Sequence, residues 1–447
     1  MKKLMEMTVE ELLSPQGHAC TCGRTHRAGL QFLKIGSGAV RFLPDALKAA
    51  GMRKPFVICD RNTYGAAGPL VEATLQQAGI PYALYQFPQE FVEPDEHAVG
   101  QLKAAFDTAC DGVLSVGSGV VTDCGKVLAH DLGLPQTAVA TAPSMDGYAS
   151  NSSSMIYNRV KVTAYNACPQ AIVADTDILK AAPERMLQAG LGDMLAKSIA
   201  LCEWRISHIV TGEYYCEEIA ALMRRSLRKI VAAAPKLLSR DPEAIEAVTE
   251  GLILSGLAMA FAEISRPASG LEHYFSHLWE MFALQDGKRS EFHGIQVGIG
   301  TALTLGILGR LRGMQPDEQT MRKAADVFDP SVWEREVRRV FGDTAQTLID
   351  KEYTAWHKND PDARILRFYR IRDHWGEITK IMDEELPGVD ATLALMRSLR
   401  LPTAPAEIGV TRQQTLDAFH HSRDIRDKYL TSSLLWDMGL LETFPVG

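Results

Sequence analysis

The sequence lacks an excess of basic residues, since 47 lysines and arginines stand against 55 aspartates and glutamates, for a net charge of −8 over 447 residues. A mildly acidic chain is not expected to bind nucleic acids generally or to dock on an anionic membrane. Internal repeats and low-complexity linkers are also missing. These absences favour closely packed domains acting on a small molecule, and a local basic pocket for a phosphorylated metabolite remains compatible with them.

The N-terminal residues do not have the pattern of a secretory leader. The two lysines near the N-terminus are followed by no uninterrupted apolar stretch, so no signal peptide is predicted. Thr8 and Glu11 instead form the pattern of a capping box that starts a short helix. No apolar run approaches the roughly 20 residues that a membrane helix needs. We therefore predict a cytoplasmic protein without a membrane span.

The eight cysteines show no pattern of disulfide pairs, and in a reducing compartment free thiols are expected. Three of them lie beside apolar runs and are predicted core residues: Cys59, Cys110 and Cys124. A tight group of four metal-ligand types lies within nine residues: His18, Cys20, Cys22 and His26. Because Cys-x-Cys is tighter than the usual Cys-x2-Cys and no second pair follows, a terminal loop is favoured over a zinc site.

Residues 30 to about 178 alternate β-rich runs with helical stretches. The predicted strands are 55–60, 82–87, 112–119, 136–144 and 170–179, and the predicted helices between them are 64–78, 95–110 and 120–132. This alternation predicts a parallel sheet covered on both faces, with ligands at the carboxyl ends of the strands. Residues 1–180 are therefore predicted to form an α/β dinucleotide-binding domain.

After about residue 180 the β pattern fades and apolar residues recur at helical spacing. The predicted helices are 183–210, 213–238, 242–264, 271–284, 293–311 and 316–328, with two more between 411 and 441. Residues 181–447 are predicted to form an all-helical metal- and substrate-binding domain. The cleft between the two halves is then the expected active site.

A glycine turn, Gly117-Ser118-Gly119, follows one predicted strand and opens a helix. Glycines let backbone N–H groups approach a phosphate, and a helix N-terminus favours the anion. The sequence of this turn matches neither the GxGxxG motif nor the P-loop motif. The prediction of a phosphate-binding turn therefore rests on its position between a strand and a helix, and a plain tight turn is the alternative. Asp60 ends another strand, where it either accepts hydrogen bonds from a ribose or caps the next helix.

Predicted helices of the second half carry one carboxylate and three imidazoles: Asp193, His273, His277 and His293. A carboxylate with two imidazoles makes a three-ligand site with an open position, as catalytic zinc requires. His273 and His277 are four residues apart and share a helix face, whereas Glu272 faces elsewhere. At this point both histidines of the pair are possible ligands, or one binds metal and the other donates a proton. Two hydrogen-bonded core histidines are the alternative.

These segments together resemble the sn-glycerol-1-phosphate dehydrogenases, within the superfamily of iron-type alcohol dehydrogenases, glycerol dehydrogenases and dehydroquinate synthases. The resemblance runs from about Phe32 to Leu441, and it rests on GSGVVTDCGK, TAPSMDGYAS, GLGDMLAK, GLEHYFSH and FHGIQVGIGTAL. TAPSMDGYAS and the tail HHSRDIRDKYLTSSLLWDMGLLE are most similar to the glycerol-1-phosphate branch. The turn reads GSG where many relatives have GGG, so Ser118 must avoid a strained backbone angle.

The resemblance implies a dehydroquinate synthase-like fold and reversible reduction of dihydroxyacetone phosphate to sn-glycerol 1-phosphate with NADH or NADPH. It implies Asp193, His273 and His293 as metal ligands, Asp146, Asp193 and His277 at the substrate, and Asp146 and His277 as catalytic residues. The residues implied to contact the cofactor are Asp60, Gly117, Ser118, Gly119, Val120, Val121, Thr122, Asp123, Thr141, Ala142, Pro143, Ser144 and Ser150.

The chemistry expected from this set is Lewis-acid polarisation of the ketone, hydride transfer from the nicotinamide, and proton delivery by His277 or a water. Cations are needed for the substrate phosphate. Lys161 is favoured among four candidates: Arg159, Lys161, Lys197 and Arg289. The ligand set suits Zn²⁺, Ni²⁺ and Fe²⁺, with zinc preferred, and Asp60 would repel a 2′-phosphate and so favours NADH.

Other functions stay open on the sequence alone. They are a glycerol-type dehydrogenase of an unphosphorylated polyol, a dehydroquinate synthase-like lyase, and a non-enzymatic nucleotide-binding protein. A lyase would need more basic residues, and the metal-ligand set counts against a pure binding protein. A homodimer is expected from the prevalence of such assemblies. The charged segment 333–383 does not align with the resemblance and is predicted to be a helical insertion.

Overall fold

The computed structural model of this protein describes residues 2–158 and 160–446, without the side chain of Val160. Arg159, one of the predicted phosphate contacts, therefore lies outside the described residues. The strands are β1 (His18–Ala19), β2 (Thr25–His26), β3 (Phe32–Gly36), β4 (Pro55–Cys59), β5 (Ala83–Gln86), β6 (Gly112–Gly117), β7 (Gln136–Ala140), β8 (Ser152–Tyr157), β9 (Val160–Tyr165) and β10 (Ala171–Asp175).

Short helices and the crossover helices of the sheet make up the first group. They are α1 (Val9–Leu12), α2 (Leu43–Ala49), α3 (Arg61–Gln77), α4 (Glu96–Ala105), α5 (Gly119–Leu132) and α6 (Thr176–Leu179). The capping box predicted at Thr8 is confirmed, because the Thr8 hydroxyl accepts from the Glu11 N–H and the Glu11 carboxylate accepts from the Thr8 N–H.

The second half of the chain is helical. Its helices are α7 (Glu184–Leu195), α8 (Lys197–Thr211), α9 (Glu217–Ala233), α10 (Pro242–Ala262), α11 (Leu271–Gln285), α12 (His293–Leu311), α13 (Glu318–Asp326), α14 (Pro330–Phe341), α15 (Ala345–Lys351), α16 (Pro361–Asp373), α17 (Trp375–Glu385), α18 (Val389–Ser398), α19 (Arg412–His421) and α20 (Thr431–Asp437). The predicted division into a parallel α/β part and a helical part is confirmed. The boundary between residues 180 and 181 stays a prediction.

Six parallel strands form one sheet in the order β3-β10-β7-β6-β4-β5. Successive side chains of β4 point to opposite faces. Val57 joins the apolar cluster formed with α2 and α3, and Phe56 joins the cluster formed with α4 and α5. Helices therefore cover both faces of the sheet, as a near-continuous apolar strand pattern requires.

The carboxyl ends of β4, β6 and β7 lie side by side at one edge of this sheet, because these three strands are neighbours. Asp60, the turn at Gly117 and the segment that starts at Thr141 are thus brought to the same edge. The antiparallel hairpin β8–β9 follows and packs on α5. It was not predicted, since only part of its β8 strand alternates buried and exposed side chains.

Two helices, α10 and α12, are long and apolar enough to span a membrane when judged by length and composition alone. Their most apolar windows are 89% and 72% buried inside the protein, as expected for core helices. One large apolar cluster joins residues of the sheet to α7, α9 and α10. A second lies within the helical half and includes Trp333 and Trp375 of segment 333–383, which is helical as predicted.

Candidate metal and cofactor site

Close helix packing brings two predicted metal ligands together. Asp193 lies near the end of α7 and His293 opens α12, as predicted. A methyl group added to Gly192 would lie 2.1 Å from the Gly294 carbonyl oxygen, and one added to Gly294 would lie 1.9 Å from the Ala189 carbonyl oxygen. The two backbones therefore touch, and glycine is required at both positions.

Asp193, His273 and His293 offer one ligand atom each, and the three atoms lie within 4.8 Å of one another. His273 Nε2 is 3.4 Å from Asp193 Oδ1, and the rings of His273 and His293 have centroids 5.4 Å apart. One carboxylate and two imidazoles at such distances fit a divalent metal with an open coordination position.

Two buried carboxylates orient the imidazoles. Glu272 lies 2.9 Å from His273 Nδ1, and Glu280 lies 3.1 Å from His293 Nδ1, with Ser276 Oγ 3.0 Å from the same nitrogen. An imidazole whose Nδ1 donates to a carboxylate keeps Nε2 unprotonated for a metal. The sequence reasoning missed both carboxylates: it turned Glu272 away from the site and did not use Glu280, which follows His273 by seven residues on the same helix face.

Lys197 joins the metal site to the first half of the chain. Its buried ammonium lies 2.8 Å from Asp193 Oδ1 and 2.7 Å from Asp146 Oδ2, and Asp193 Oδ2 accepts the Asp146 N–H at 3.0 Å. Burial by itself would raise the pKa of Asp193, but Lys197, His273 and His293 lower it well below its usual range. Asp193 is therefore ionised at neutral pH, as a metal ligand must be.

His277 lies beside this ligand set. Its ring stacks on that of His293 with centroids 5.8 Å apart, and its buried Nδ1 has no hydrogen-bond partner among the described residues. Burial lowers the pKa of His277 well below its usual value, with a further contribution from Arg426. His277, Glu280 and His293 also form a second group of ligand atoms within 4.8 Å, so both sets share His293.

The predicted phosphate contacts occupy different places. Lys161 Nζ lies 3.2 Å from Glu280 Oε2, and the same Glu280 carboxylate contacts His293. Burial would raise the pKa of Glu280, but Lys161 and His293 lower it well below its usual range. Arg289 lies over the ring of Phe91, 3.9 Å from its centroid, and the buried Lys197 pairs with two aspartates. Among the three candidates that the structure describes, Lys161 alone combines partial exposure with proximity to His293.

The glycine turn has the local structure that a phosphate requires. A methyl group on Gly117 would lie 2.5 Å from Val121 Cβ. Ser118 precedes α5 with φ −110°, so the predicted absence of strain is confirmed. Its side chain does not cap the helix, which leaves the N–H groups of the first turn, from Gly119 to Val121, for an anion.

The other predicted cofactor segments surround this turn. Thr141, Ala142, Pro143 and Ser144 follow β7 directly. The Tyr148 hydroxyl lies 3.1 Å from the Gly117 carbonyl oxygen and 2.9 Å from that of Ala142, which couples the two strand ends. Asp60 caps α3 by accepting the Thr63 N–H at 2.8 Å, so the capping alternative holds whether or not a ribose also binds.

Two residues of the predicted cofactor set have partners in the hairpin region. Asp123 of α5 accepts the Ser154 N–H with Oδ2 at 3.0 Å, and Ser150 Oγ lies 2.8 Å from the Ser152 carbonyl oxygen of β8 and 3.0 Å from Lys126 Nζ of α5. Burial raises the pKa of Asp123 despite the nearby Lys126. Both residues hold β8 against α5, and their contact with a cofactor stays a prediction, as it does for Val120 and Thr122.

Comparison with known proteins identifies relatives of this chain. Residues 34–183 match the iron-containing alcohol dehydrogenase family. A glycerol-1-phosphate dehydrogenase (NAD(P)+) of Halalkalibacterium halodurans is 36% identical over 288 residues, which cover 64% of this chain and 72% of the relative. The enzyme of the same name from Bacillus licheniformis is 33% identical, with 75% and 86% covered.

Among solved structures, a probable glycerol dehydrogenase from Sinorhizobium meliloti 1021 superposes with a TM-score of 0.60 at 18% identity, covering 92% of this chain and 96% of that one. This likeness concerns the fold, and it confirms the two-part architecture. The sequence identity and coverage of the two curated relatives settle the family. The chain belongs to the glycerol-1-phosphate dehydrogenase family, among the iron-containing alcohol dehydrogenases.

Proposed function

We propose that this protein catalyses the reversible reduction of dihydroxyacetone phosphate to sn-glycerol 1-phosphate with NADH or NADPH and a divalent metal. The observation that carries the proposal is the convergence of Asp193, His273 and His293, whose imidazoles are oriented by buried carboxylates. The substrate and the nucleotide of this proposal are taken from the names of the relatives, glycerol-1-phosphate dehydrogenase (NAD(P)+). An oxidoreductase is thus favoured over the lyase and the binding protein.

The bound metal supplies a Lewis acid for the substrate oxygen, and the bound nicotinamide supplies the hydride. Asp146 is proposed to accept a hydrogen bond from a substrate hydroxyl. Its Oδ2 is held by Lys197 and by Ser255 Oγ at 2.8 Å, while Oδ1 has no partner among the described residues. A carboxylate with one fixed oxygen is positioned to hold a ligand hydroxyl with the other.

His277 is proposed to deliver the proton that the product alcohol needs. Its depressed pKa keeps the imidazole neutral at neutral pH, with one N–H to donate and one nitrogen to accept a replacement from solvent. The unpartnered Nδ1 supports this role, because a buried polar atom without a partner is costly unless a ligand satisfies it.

The finer assignments rest on chemistry and remain proposals. Zn²⁺ is preferred, and Ni²⁺ and Fe²⁺ suit the same donors. NADH is preferred because Asp60 would repel a 2′-phosphate. We also propose a cytoplasmic homodimer, with residues 1–180 binding the nucleotide and residues 181–447 the metal and the substrate.

The test is an absorbance assay of NADH and NADPH with dihydroxyacetone phosphate and, in parallel, dihydroxyacetone. The protein is first stripped with a chelator and then supplied separately with Zn²⁺, Ni²⁺ or Fe²⁺. We expect oxidation that needs both a metal and the phosphorylated ketone, with sn-glycerol 1-phosphate as the stereospecific product. Reaction with the unphosphorylated ketone alone would assign a polyol dehydrogenase, and no oxidation under any condition would refute the dehydrogenase.

Replacement of Lys161 by methionine tests the phosphate contact. A charge-assisted hydrogen bond contributes about 1.5–3 kcal/mol, so the KM for dihydroxyacetone phosphate should rise about 10- to 100-fold. Steady-state kinetics with phosphorylated and unphosphorylated ketone measure the difference, and activity on the latter should change little. Lys103→Met is the matched control, because Lys103 of α4 pairs at 2.7 Å with Asp131, which lies at the end of α5 opposite the glycine turn. Equal KM changes for both substrates would assign Lys161 to the support of Glu280 alone.

A further inference from the structure

A second group of metal-ligand side chains shares no residue with the proposed catalytic site. Cys20, Cys22, His26 and Cys216 offer four ligand atoms within 4.8 Å of one another. The first three come from β1–β2 and its turn, and Cys216 immediately precedes α9. His18, the fourth member of the group noted in the sequence, instead contacts the Leu12 carbonyl oxygen at 3.3 Å. In the structure, Cys216 therefore takes the place of His18 in the group, although it is distant from the other three residues in the sequence.

The distances match a tetrahedral zinc site. With Zn–S near 2.3 Å and Zn–N near 2.0–2.1 Å, tetrahedral ligand atoms lie roughly 3.5–3.8 Å apart. Cys20 Sγ is 3.6 Å from Cys216 Sγ, and His26 Nε2 is 3.4 Å from the Sγ atoms of both Cys22 and Cys216. A tetrahedron of one nitrogen and three sulfurs of this size encloses one Zn²⁺.

The imidazole of His26 is oriented for a metal. Its Nδ1 lies 3.0 Å from the Phe261 carbonyl oxygen, which only accepts hydrogen bonds. Nδ1 therefore carries the proton, and the lone pair of Nε2 points at the sulfurs. A carbonyl that fixes the tautomer in this way is the usual outer partner of a zinc-bound histidine.

A disulfide explains the cluster less well. The sulfurs of Cys20 and Cys216 are 3.6 Å apart, well beyond the roughly 2.05 Å of an S–S bond. A single disulfide would also leave Cys22 and His26 without a role. Without a metal, the thiols of the group have only weak sulfur hydrogen bonds among the described residues, including one of 3.4 Å between Cys22 and the Tyr214 hydroxyl.

We propose that Cys20, Cys22, His26 and Cys216 bind a structural Zn²⁺, distinct from the catalytic metal, that fastens the N-terminal segment to the start of α9. Four protein ligands leave no open position, which is the mark of a structural site. The same segment is held to α9 by other contacts, from the Leu4 N–H to Glu218 at 3.0 Å and from Arg225 to the Met5 carbonyl at 2.7 Å. The zinc would complete this attachment.

Metal content tests the proposal independently of turnover. Full-length protein is purified under reducing conditions with added Zn²⁺ and dialysed. The number of zinc ions bound per chain is then measured by elemental mass spectrometry. We expect two zinc ions per chain, one after Cys22→Ser or Cys20→Ser, and still two after Cys110→Ser, a buried cysteine outside the group. His273→Ala should also retain one. A reduced unmodified protein whose only zinc is lost in His273→Ala would overturn the proposal.

Cobalt substitution gives a second readout that is also independent of turnover. Thiolate-to-cobalt charge transfer absorbs in the near ultraviolet, and the catalytic donors include no sulfur. We expect this band in the unmodified protein and in His273→Ala, and its loss in Cys22→Ser. A cobalt-loaded, reduced protein without the band would refute the site. If the dehydrogenase assay fails, the band is still expected, because it reports on the cysteine site and not on turnover.

Discussion

Substitution of His273 by alanine is expected to remove the catalytic metal and to lower kcat/KM by at least about three orders of magnitude. His273 is the central ligand of the proposed site, with Nε2 3.4 Å from Asp193 and its ring next to that of His293. A Lewis acid contributes several kcal/mol to such a transition state, which corresponds to roughly 10³ in rate. NADH oxidation with dihydroxyacetone phosphate and metal analysis measure the two losses together.

The control for this experiment is His374→Ala, because His374 lies on the surface and pairs with Glu377 at 3.3 Å. It should keep full activity and metal content. Thermal unfolding of both variants shows whether the fold is retained. A His273→Ala protein that is fully active and keeps its catalytic metal would remove His273 from the ligand set and with it the proposed site.

Substitution of Gly294 by alanine is expected to destabilise the protein by about 3 kcal/mol, the upper part of the usual range for overpacking, and to weaken metal binding. The added methyl group would lie 1.9 Å from the Ala189 carbonyl oxygen, and it meets backbone atoms that cannot rotate away. The helices α7 and α12 must then separate, which moves Asp193 away from His293. Denaturant unfolding and metal titration measure the two effects.

Gly306→Ala is the matched control on the same helix α12. A methyl group at Gly306 meets no heavy atom within 4 Å. Because alanine favours a helix by up to about 1 kcal/mol over glycine, this variant should be neutral or slightly stabilised, with unchanged metal affinity. Equal stability of the two variants would show that the backbone contact between α7 and α12 does not limit the packing.

Much of the fold follows from local pattern. The alternation of apolar strands and amphipathic helices predicted the parallel sheet, and each predicted strand has its counterpart in the structure. The hairpin β8–β9 was not predicted, because two short antiparallel strands are stabilised by the surface they cover, here α5, more than by their own sequence. Likewise, α10 and α12 are apolar all round because protein surrounds them, which sequence alone does not distinguish from lipid.

The sequence by itself determined the ligand types, the glycines next to them and the family resemblance that joined Asp193, His273 and His293. Only the tertiary structure decided what supports these residues. Glu272 and Glu280 were not assigned, because their roles depend on where the imidazoles of His273, the residue next to Glu272, and of His293, on another helix, point.

The cysteine group shows the same limit. Cys216 stands 190 residues beyond His26 in the sequence and contacts it at 3.4 Å, and no local spacing encodes that pairing. The local pattern taken alone favours a loop, because Cys-x-Cys is tighter than the usual Cys-x2-Cys and no second pair follows nearby. Chain topology supplies the fourth ligand, since the packing of α9 and α10 carries Cys216 and the Phe261 carbonyl to the N-terminal hairpin.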